Sequence, residues 1–333
     1  MMVVPHYSPA IVTTFLFVFL SSFLLCNVSP VHSFSLPQLP LLPPWRGLRQ
    51  LLHIGHVGYW FDRMKYQHYR TNEVLYLTIS PTTNNDNNDD GNQPKLVTNL
   101  PPKSPSSVRI IFISDTHGKH VCLSNRIPKS SSIDIMIHCG DVTLSYGYPK
   151  DNYKQQARVW NNFDSWLGRM RVEKGISEMF VLFGNHDSLG EKDDNNEKPL
   201  LQNAKLIHDG TFIQTRNGNL RIFGSSFSPP GVTCNNAFQN VQMLKEHLYK
   251  AEEQKLDILI THGPSQEMQQ LAESTNAHIW VYGHFHDGYG INTVKKKTEN
   301  ESILYTINAA SCDMIYRPVN PPIIVDYTRF NDE

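Results

Sequence analysis

The pattern of apolar and polar positions changes character near residue 108. From there on, short unbroken apolar runs recur, and each closes on polar residues: RIIFISDTH, IDIMIHCGD, EMFVLFGNHD, DILITHG and HIWVYGHFH. A continuous apolar run of this length suits a strand buried on both faces. In open α/β sheets, ligands collect beyond the carboxyl edge of the strands. The residues that close the runs are therefore candidates for chemistry rather than packing: Asp115, His117, Asp141, Asn185, His186, Asp187, His262, His284 and His286.

Between the runs the spacing becomes helical. Residues 153–170 place Tyr153, Ala157, Trp160, Phe163, Leu167 and Met170 on one stripe, and residues 241–251 do so more briefly through Leu244, Leu248 and Ala251. The segment LIHDGTFIQTRNGNLRIFGSSFSP alternates around Asn217, Gly218 and Asn219, which predicts a β-hairpin. ESILYTINAAS and PPIIVDY read as further strands, and a chain so mixed predicts two packed sheets flanked by helices. Lys295–Lys297 fits the solvated tip of a hairpin between INTV and SILYTI, and Asn300-Glu301-Ser302 in the same tip is a glycosylation sequon if the chain is secreted.

Upstream of residue 108 the pattern supports less. Residues 10–28 are almost free of charge, and the apolar stretch from Phe15 to Leu25 fits a secretory h-region of roughly 7–15 residues better than the roughly 20 of a spanning helix. No Lys or Arg precedes Arg46, so an uncleaved signal anchor, with possible membrane anchoring through this segment, stays open. A two-part plastid leader with its junction at Ser33–Phe34 is the further alternative. The leader is thus assigned to residues 1–33 and an N-terminal extension of unassigned role to residues 34–80. Residues 81–107 open with PTTNNDNNDDGNQPK at the boundary and are expected to form a disordered Asn/Asp-rich linker. The catalytic domain is expected at residues 108–330.

Composition narrows the function. In 333 residues, 40% are hydrophobic, enough for a sizeable core, and 30 Lys+Arg balance 31 Asp+Glu. That balance gives no nucleic-acid footprint, which would need a basic surplus. Five Cys in so long a chain make no disulfide framework, and Cys122, Cys139, Cys234 and Cys312 read as buried free thiols. His138, inside an apolar run, reads as a satisfied core histidine, and His120, His208, His247 and His278 as structural or surface residues. Carboxylate, imidazole and amide oxygen together suit manganese, zinc or iron rather than calcium, which prefers an all-oxygen shell.

The ordered set D-x-H, GD, GNHD, a lone His and GHxH, spread over residues 108–327, resembles the calcineurin-like metallophosphoesterases. THGP, YGHFHDGYG and NAASCDMIYRPVNPP are most similar to the branch of metallophosphoesterase-domain-containing proteins. The resemblance implies an α/β fold, a four-layer α/β/β/α sandwich of two mixed sheets. It implies one metal held by Asp115, His117, Asp141 and His286, and a second held by Asp141, Asn185, His262 and His284. The pair would be manganese, with iron, zinc or nickel as alternatives, and would supply a bridging hydroxide for attack on a phosphoester. His186 would protonate the leaving alkoxide, and Asp187 would hold that imidazole. The implied substrate is a small phosphodiester such as a cyclic nucleotide. The alternatives are a phosphomonoester or pyrophosphate at the same site, or a weakly active nucleotide-binding regulatory role. The protein phosphatases of the superfamily carry GDxxDRG, whereas this chain reads GDVTLSYG, which argues against phosphoprotein substrates. Phosphate recognition is left without an assigned cation, Arg317 being the nearest candidate.

Overall fold

The computed structural model describes residues 73–80, 93–129, 133–144, 153–191, 201–207, 210–228, 237–252, 254–296 and 302–329. The leader, residues 34–72, residues 81–92, Cys234, His208 and the sequon asparagine lie outside them. None of the described helices is long and apolar enough to cross a membrane.

Two mixed sheets lie face to face. The first contains β1 (Val74–Ile79), β2 (Lys95–Val97), β3 (Ser107–Ile113), β4 (Ile135–His138), β5 (Glu178–Leu182), β6 (Lys205–Ile207) and β13 (Ile323–Thr328), in the spatial order β2-β1-β13-β3-β4-β5-β6. The second contains β7 (Thr211–Gln214), β8 (Arg221–Ser225), β9 (Ile258–Thr261), β10 (Ile279–Tyr282), β11 (Gly290–Lys295) and β12 (Ile303–Asn308), in the order β11-β12-β10-β9-β8-β7.

Side-chain alternation splits each strand between two cores. In β3, Ile110 and Phe112 face the space between the sheets, where they join Ile135, Ile137, Ile222, Ile258, Ile260 and Val281. Ile111 and Ile113 face outward onto α1 (Tyr153–Lys174), whose Trp160, Phe163, Trp166, Leu167 and Met170 are buried. On the far side, Leu244 and Ala251 of α2 (Val241–Glu252) and Met268 and Ala272 of α3 (Gln266–Ser274) cover Phe223, Leu259, Trp280 and Leu304. Helix, sheet, sheet, helix is the expected four-layer sandwich. β3 is buried along its whole length, as its unbroken apolar run requires.

The expected hairpin forms between β7 and β8, with Asn219 and Gly218 at positive φ in its loop. Leu206 and Ile207, at its start in the sequence, instead close the first sheet as part of β6.

Three expectations need correction. The domain begins before residue 108: β1 pairs in parallel with β13, and β2 pairs with β1, so part of the extension and part of the linker belong to the first sheet. Tyr76 Oη donates to Asp326 at 2.8 Å, and Arg109 binds the same carboxylate through Nε and Nη2, both at 2.6 Å. Lys296 is not solvated; it is buried, and its Nζ donates to Thr275 O at 2.8 Å and Ala277 O at 2.5 Å, just beyond the C-terminus of α3. An ammonium there satisfies carbonyls that the helix leaves open and suits the helix dipole. Cys122 is exposed, although Cys139 and Cys312 are buried free thiols as expected.

Candidate metal centre

The parallel strands β3, β4 and β5 of one sheet and β9 and β10 of the other end at one edge of the sandwich. Their closing residues meet there. Asp115 N donates to Gly140 O at 2.9 Å and His117 N to Asp141 O at 3.0 Å, which locks the D-x-H turn onto the GD turn. Gly283 N donates to His262 O at 2.8 Å, and Ser114 pairs with Ala310 in an isolated bridge between the strand ends of the two sheets.

The turns are tight. Asp115, His117, Asp141 and His284 all adopt positive φ, between 45° and 67°, a conformation that costs non-glycine residues energy. Glycine is required twice beside them: a Cβ at Gly184 would run into Asp141, and one at Gly283 would run into Asp115 and Ser114.

All seven residues expected as ligands come together, in overlapping groups. The side chains of Asp115, His117 and His286 form one group, those of His117, Asp141 and His186 a second, and those of Asp141, His262 and His284 a third; within each group the ligand atoms lie within 4.8 Å of one another. Asp141 Oδ2 is 3.4 Å from His262 Nε2 and 3.9 Å from both His117 Nε2 and His186 Nε2. Asn185 Oδ1 lies 2.9 Å from both His262 Nε2 and His284 Nδ1.

The imidazoles are aimed by backbone carbonyls. Nδ1 of His117 meets Thr143 O at 2.8 Å, Nδ1 of His262 meets Cys139 O at 3.0 Å, and Nδ1 of His286 meets Asp313 O at 2.8 Å. A carbonyl only accepts, so each Nδ1 carries the hydrogen and each neutral ring turns a bare Nε2 inward. His117 Nε2 and His286 Nε2 then face each other at 3.2 Å, and His262 Nε2 faces the Asn185 oxygen. Lone pairs directed at lone pairs repel unless a proton or a cation lies between them. The donor set therefore fits divalent cations, with nitrogen and oxygen ligands in the mixture borderline metals take.

The ionisation of the cluster follows from the same crowding. Burial opposes charge on Asp115 and Asp141, yet hydrogen bonding from His286 and the charge of His262, respectively, lead the opposing effects that hold these carboxyls below the usual range. Burial would also lower His262, but the Asp141 carboxylate overrides it and raises the imidazole to about 9. Burial brings His117 and His284 down to about 4.

His186 donates its backbone N–H to Asp141 Oδ1 at 2.8 Å, and its ring packs edge-on against His117 at 4.9 Å between centroids. Asp187 is arranged differently from the expectation that it holds the His186 imidazole. Its Oδ1 accepts from Thr143 N at 2.8 Å and Thr143 Oγ1 at 2.9 Å, and its Oδ2 from Val142 N at 3.2 Å and Gly184 N at 2.9 Å. Burial, then the Asp141 charge, push this carboxyl up to about 7. It fastens the loop that carries Asp141 and reaches His186 only through that backbone.

Sequence reasoning did not single out Tyr316. Its ring lies edge-on to His117 at 4.8 Å and to His286 at 5.4 Å, and 6.0 Å from His186. Lys119 Nζ donates to Tyr316 O and anchors the turn. Arg317, the candidate phosphate-binding cation, is engaged by Asp313 at 2.6 and 2.8 Å. No periodicity marks this turn; the signal available was the run CDMIYRP, which is too rich in large side chains for a plain loop.

The chain is 27% identical over 265 residues to metallophosphoesterase domain-containing protein 1 of Homo sapiens, covering 68% of this chain and 72% of that protein. The Mus musculus protein of the same name matches to the same extent. Among solved structures, calcineurin-like phosphoesterase YfkN from Bacillus subtilis aligns with a TM-score of 0.34 and 14% identity over 57% of this chain and 74% of that one. The family model for calcineurin-like phosphoesterases matches residues 108–288, the span that carries every residue of the cluster. The resemblance stated from the motifs is thereby borne out: this chain belongs to the calcineurin-like phosphoesterase family, hydrolases of phosphoric esters.

Proposed function

We propose that this protein is a two-cation phosphodiesterase acting on small phosphodiesters, cyclic nucleotides among them. The observation that supports this reading is the position of Asp141, whose carboxylate shares a donor group with His117 on one side and with His262 and His284 on the other, so that it could serve two ions. Asp115, His117 and His286 would hold one cation with it, and Asn185, His262 and His284 the other. Divalent cations bound there, manganese being the favoured pair, would polarise the phosphoryl oxygens and lower the pKa of water.

The protein's own groups have distinct tasks. Asp187 and the Thr143 backbone keep the Asp141 turn in place. His186, held beside Asp141, is the group that would donate a proton to the leaving alkoxide; burial holds its pKa below the ordinary histidine value, and the Asp141 carboxylate offsets only part of that. A diester fits better than a monoester because Arg317 is engaged by Asp313, and the GDVTLSYG run lacks the arginine that grips a dianion in GDxxDRG.

The test uses purified full chain with added manganese and bis(p-nitrophenyl) phosphate. Asp141→Asn should cut turnover by at least about 100-fold, more than losing an outer-sphere partner costs, and should lower bound metal, with circular dichroism unchanged. Unchanged turnover and metal content would overturn the two-cation reading. A higher kcat/KM on p-nitrophenyl phosphate than on the diester would move the assignment to monoesters.

A further inference from the structure

One polar residue interrupts the apolar stripe of α1. Trp160, Phe163, Leu167 and Met170 continue backwards at helical spacing to Gln156, which is buried as they are. Packing alone gives no reason for an amide here, since a buried amide costs stability unless its hydrogen bonds are met. The loop after β5 meets them. Gln156 Oε1 accepts from Leu189 N at 2.9 Å, and its Nε2 donates to Ser188 Oγ at 2.8 Å and, at a longer 3.4 Å, to His186 O. A backbone N–H only donates, so Leu189 fixes which end of the amide faces it and leaves both amide hydrogens for Ser188 and His186.

This loop carries Asn185 and His186, and it is held from two sides. His186 N donates to Asp141 Oδ1, and the Asp187 carboxylate accepts from the N–H groups of Val142 and Thr143, so the front of the loop is fastened to the Asp141 turn. Its two ends rest on α1: the Phe183 ring lies 5.3 Å from that of Trp160, and the short turn Ser188–Gly190 is the part that Gln156 binds. Thr143 Oγ1 also reaches the His186 carbonyl, at 2.8 Å. It has a single hydrogen, however, and Asp187 Oδ1 competes for it at 2.9 Å. When that hydrogen goes to Asp187, the Gln156 amide still holds His186 O.

We propose that Gln156 is a positioning residue for the general acid: it ties the His186 loop to α1, so that the imidazole keeps its place beside Asp141 while the leaving group is protonated. The inference rests on the reading of His186 as proton donor and adds the helix residue that keeps it there. Gln156 meets the loop through two backbone groups and Ser188, so its loss acts through the placement of His186. In a catalytic site a displacement of about 1 Å is enough to cost about 100-fold in rate.

Leaving groups of different basicity separate positioning from a purely structural role. Manganese-loaded full chain is assayed on methyl p-nitrophenyl phosphate, whose leaving group needs little protonation, and on methyl phenyl phosphate, whose leaving group needs more. Gln156→Met should lower kcat on the phenyl ester about tenfold more than on the p-nitrophenyl ester, part of the roughly 10²–10⁴ that a placed acid supplies, with KM unchanged. His186→Asn sets the full size of that selectivity. Ser188→Ala, which removes one contact of the amide and leaves the helix intact, should show it at smaller size. Independently of turnover, hydrogen exchange at Leu189 N in the metal-free chain should quicken about tenfold in Gln156→Met, while the amides of β3 and β4 keep their rates. An even loss on both esters, or unchanged exchange at Leu189, overturns the positioning role. An even loss in His186→Asn overturns the acid assignment and the role of Gln156 with it; selectivity in His186→Asn that is missing in Gln156→Met overturns the role of Gln156 alone.

Discussion

His138 shows how a residue that reads as ordinary core can serve the site from behind. It is wholly buried; Gly140 N donates to its Nδ1 at 3.3 Å, and its Nε2 meets Thr116 Oγ1 at 3.0 Å. Burial lowers its pKa to about 3, so the neutral ring accepts on one side and donates on the other. Thr116 lies between Asp115 and His117, and Gly140 precedes Asp141, so one imidazole braces both turns. His138→Phe keeps the volume but strands a buried N–H and a buried hydroxyl, each costing about 1–3 kcal/mol. Apparent manganese affinity, measured by competition with a chelator, should fall about 10–100-fold; an unchanged affinity would make His138 a packing residue only. The ligand residues were legible in the sequence because each closes an apolar run. Asp187 was misassigned in role because its neighbour in sequence is not the partner its carboxylate faces, and Tyr316 was missed because its turn joins the cluster only after the chain has crossed from one sheet to the other.

At the level of elements, the apolar runs gave β3, β4, β5, β9 and β10, and the stripes gave α1 and α2, within a few residues. What they could not give was the partner of β1. Its sequence, VLYLTI, carries no flanking motif, and its place beside β13 is decided by which side of that strand remains open once β3 and β13 have paired. Yet Leu77 and Ile79 fill the core between the sheets, and Val74 and Tyr76 the core under α1. A chain begun at residue 108 loses these four side chains and leaves the Asp326 carboxylate without Tyr76, at a cost of several kcal/mol against a typical total of about 5–15. It should be insoluble or melt well below a chain begun at residue 73. Equal melting temperatures for the two would show β1 and β2 to be dispensable. Lys296 teaches the same lesson on a smaller scale: a run of three lysines reads as solvent-facing, and only the arrival of the α3 terminus beside β11 makes a home for one of them.

Across the whole molecule, histidines outside the metal centre link stability to pH. Burial lowers His120 and, with the Lys296 charge adding to it, His278, each to about 4. In the unfolded chain both take up protons near pH 6.5. Stability from these two groups is therefore complete above about pH 6.5 and is lost as pH falls from there towards 4, by about 1–3 kcal/mol for each. Urea midpoints should drop between pH 7.5 and pH 5, and His120→Gln/His278→Gln should flatten that slope; an unaltered slope would place the acid sensitivity elsewhere.

The direction of the outermost strands has a practical corollary. Because β13 runs opposite to β3 and β1 runs with β13, Val74 starts on the same rim as the cation cluster, and Thr328 finishes on the opposite rim. A fluorescent fusion, affinity handle or bead coupling attached just ahead of Val74 would sit at the doorway for ligands, whereas one attached after Thr328 would hang from the back. Immobilising the protein by its carboxyl terminus should leave ligand entry unobstructed.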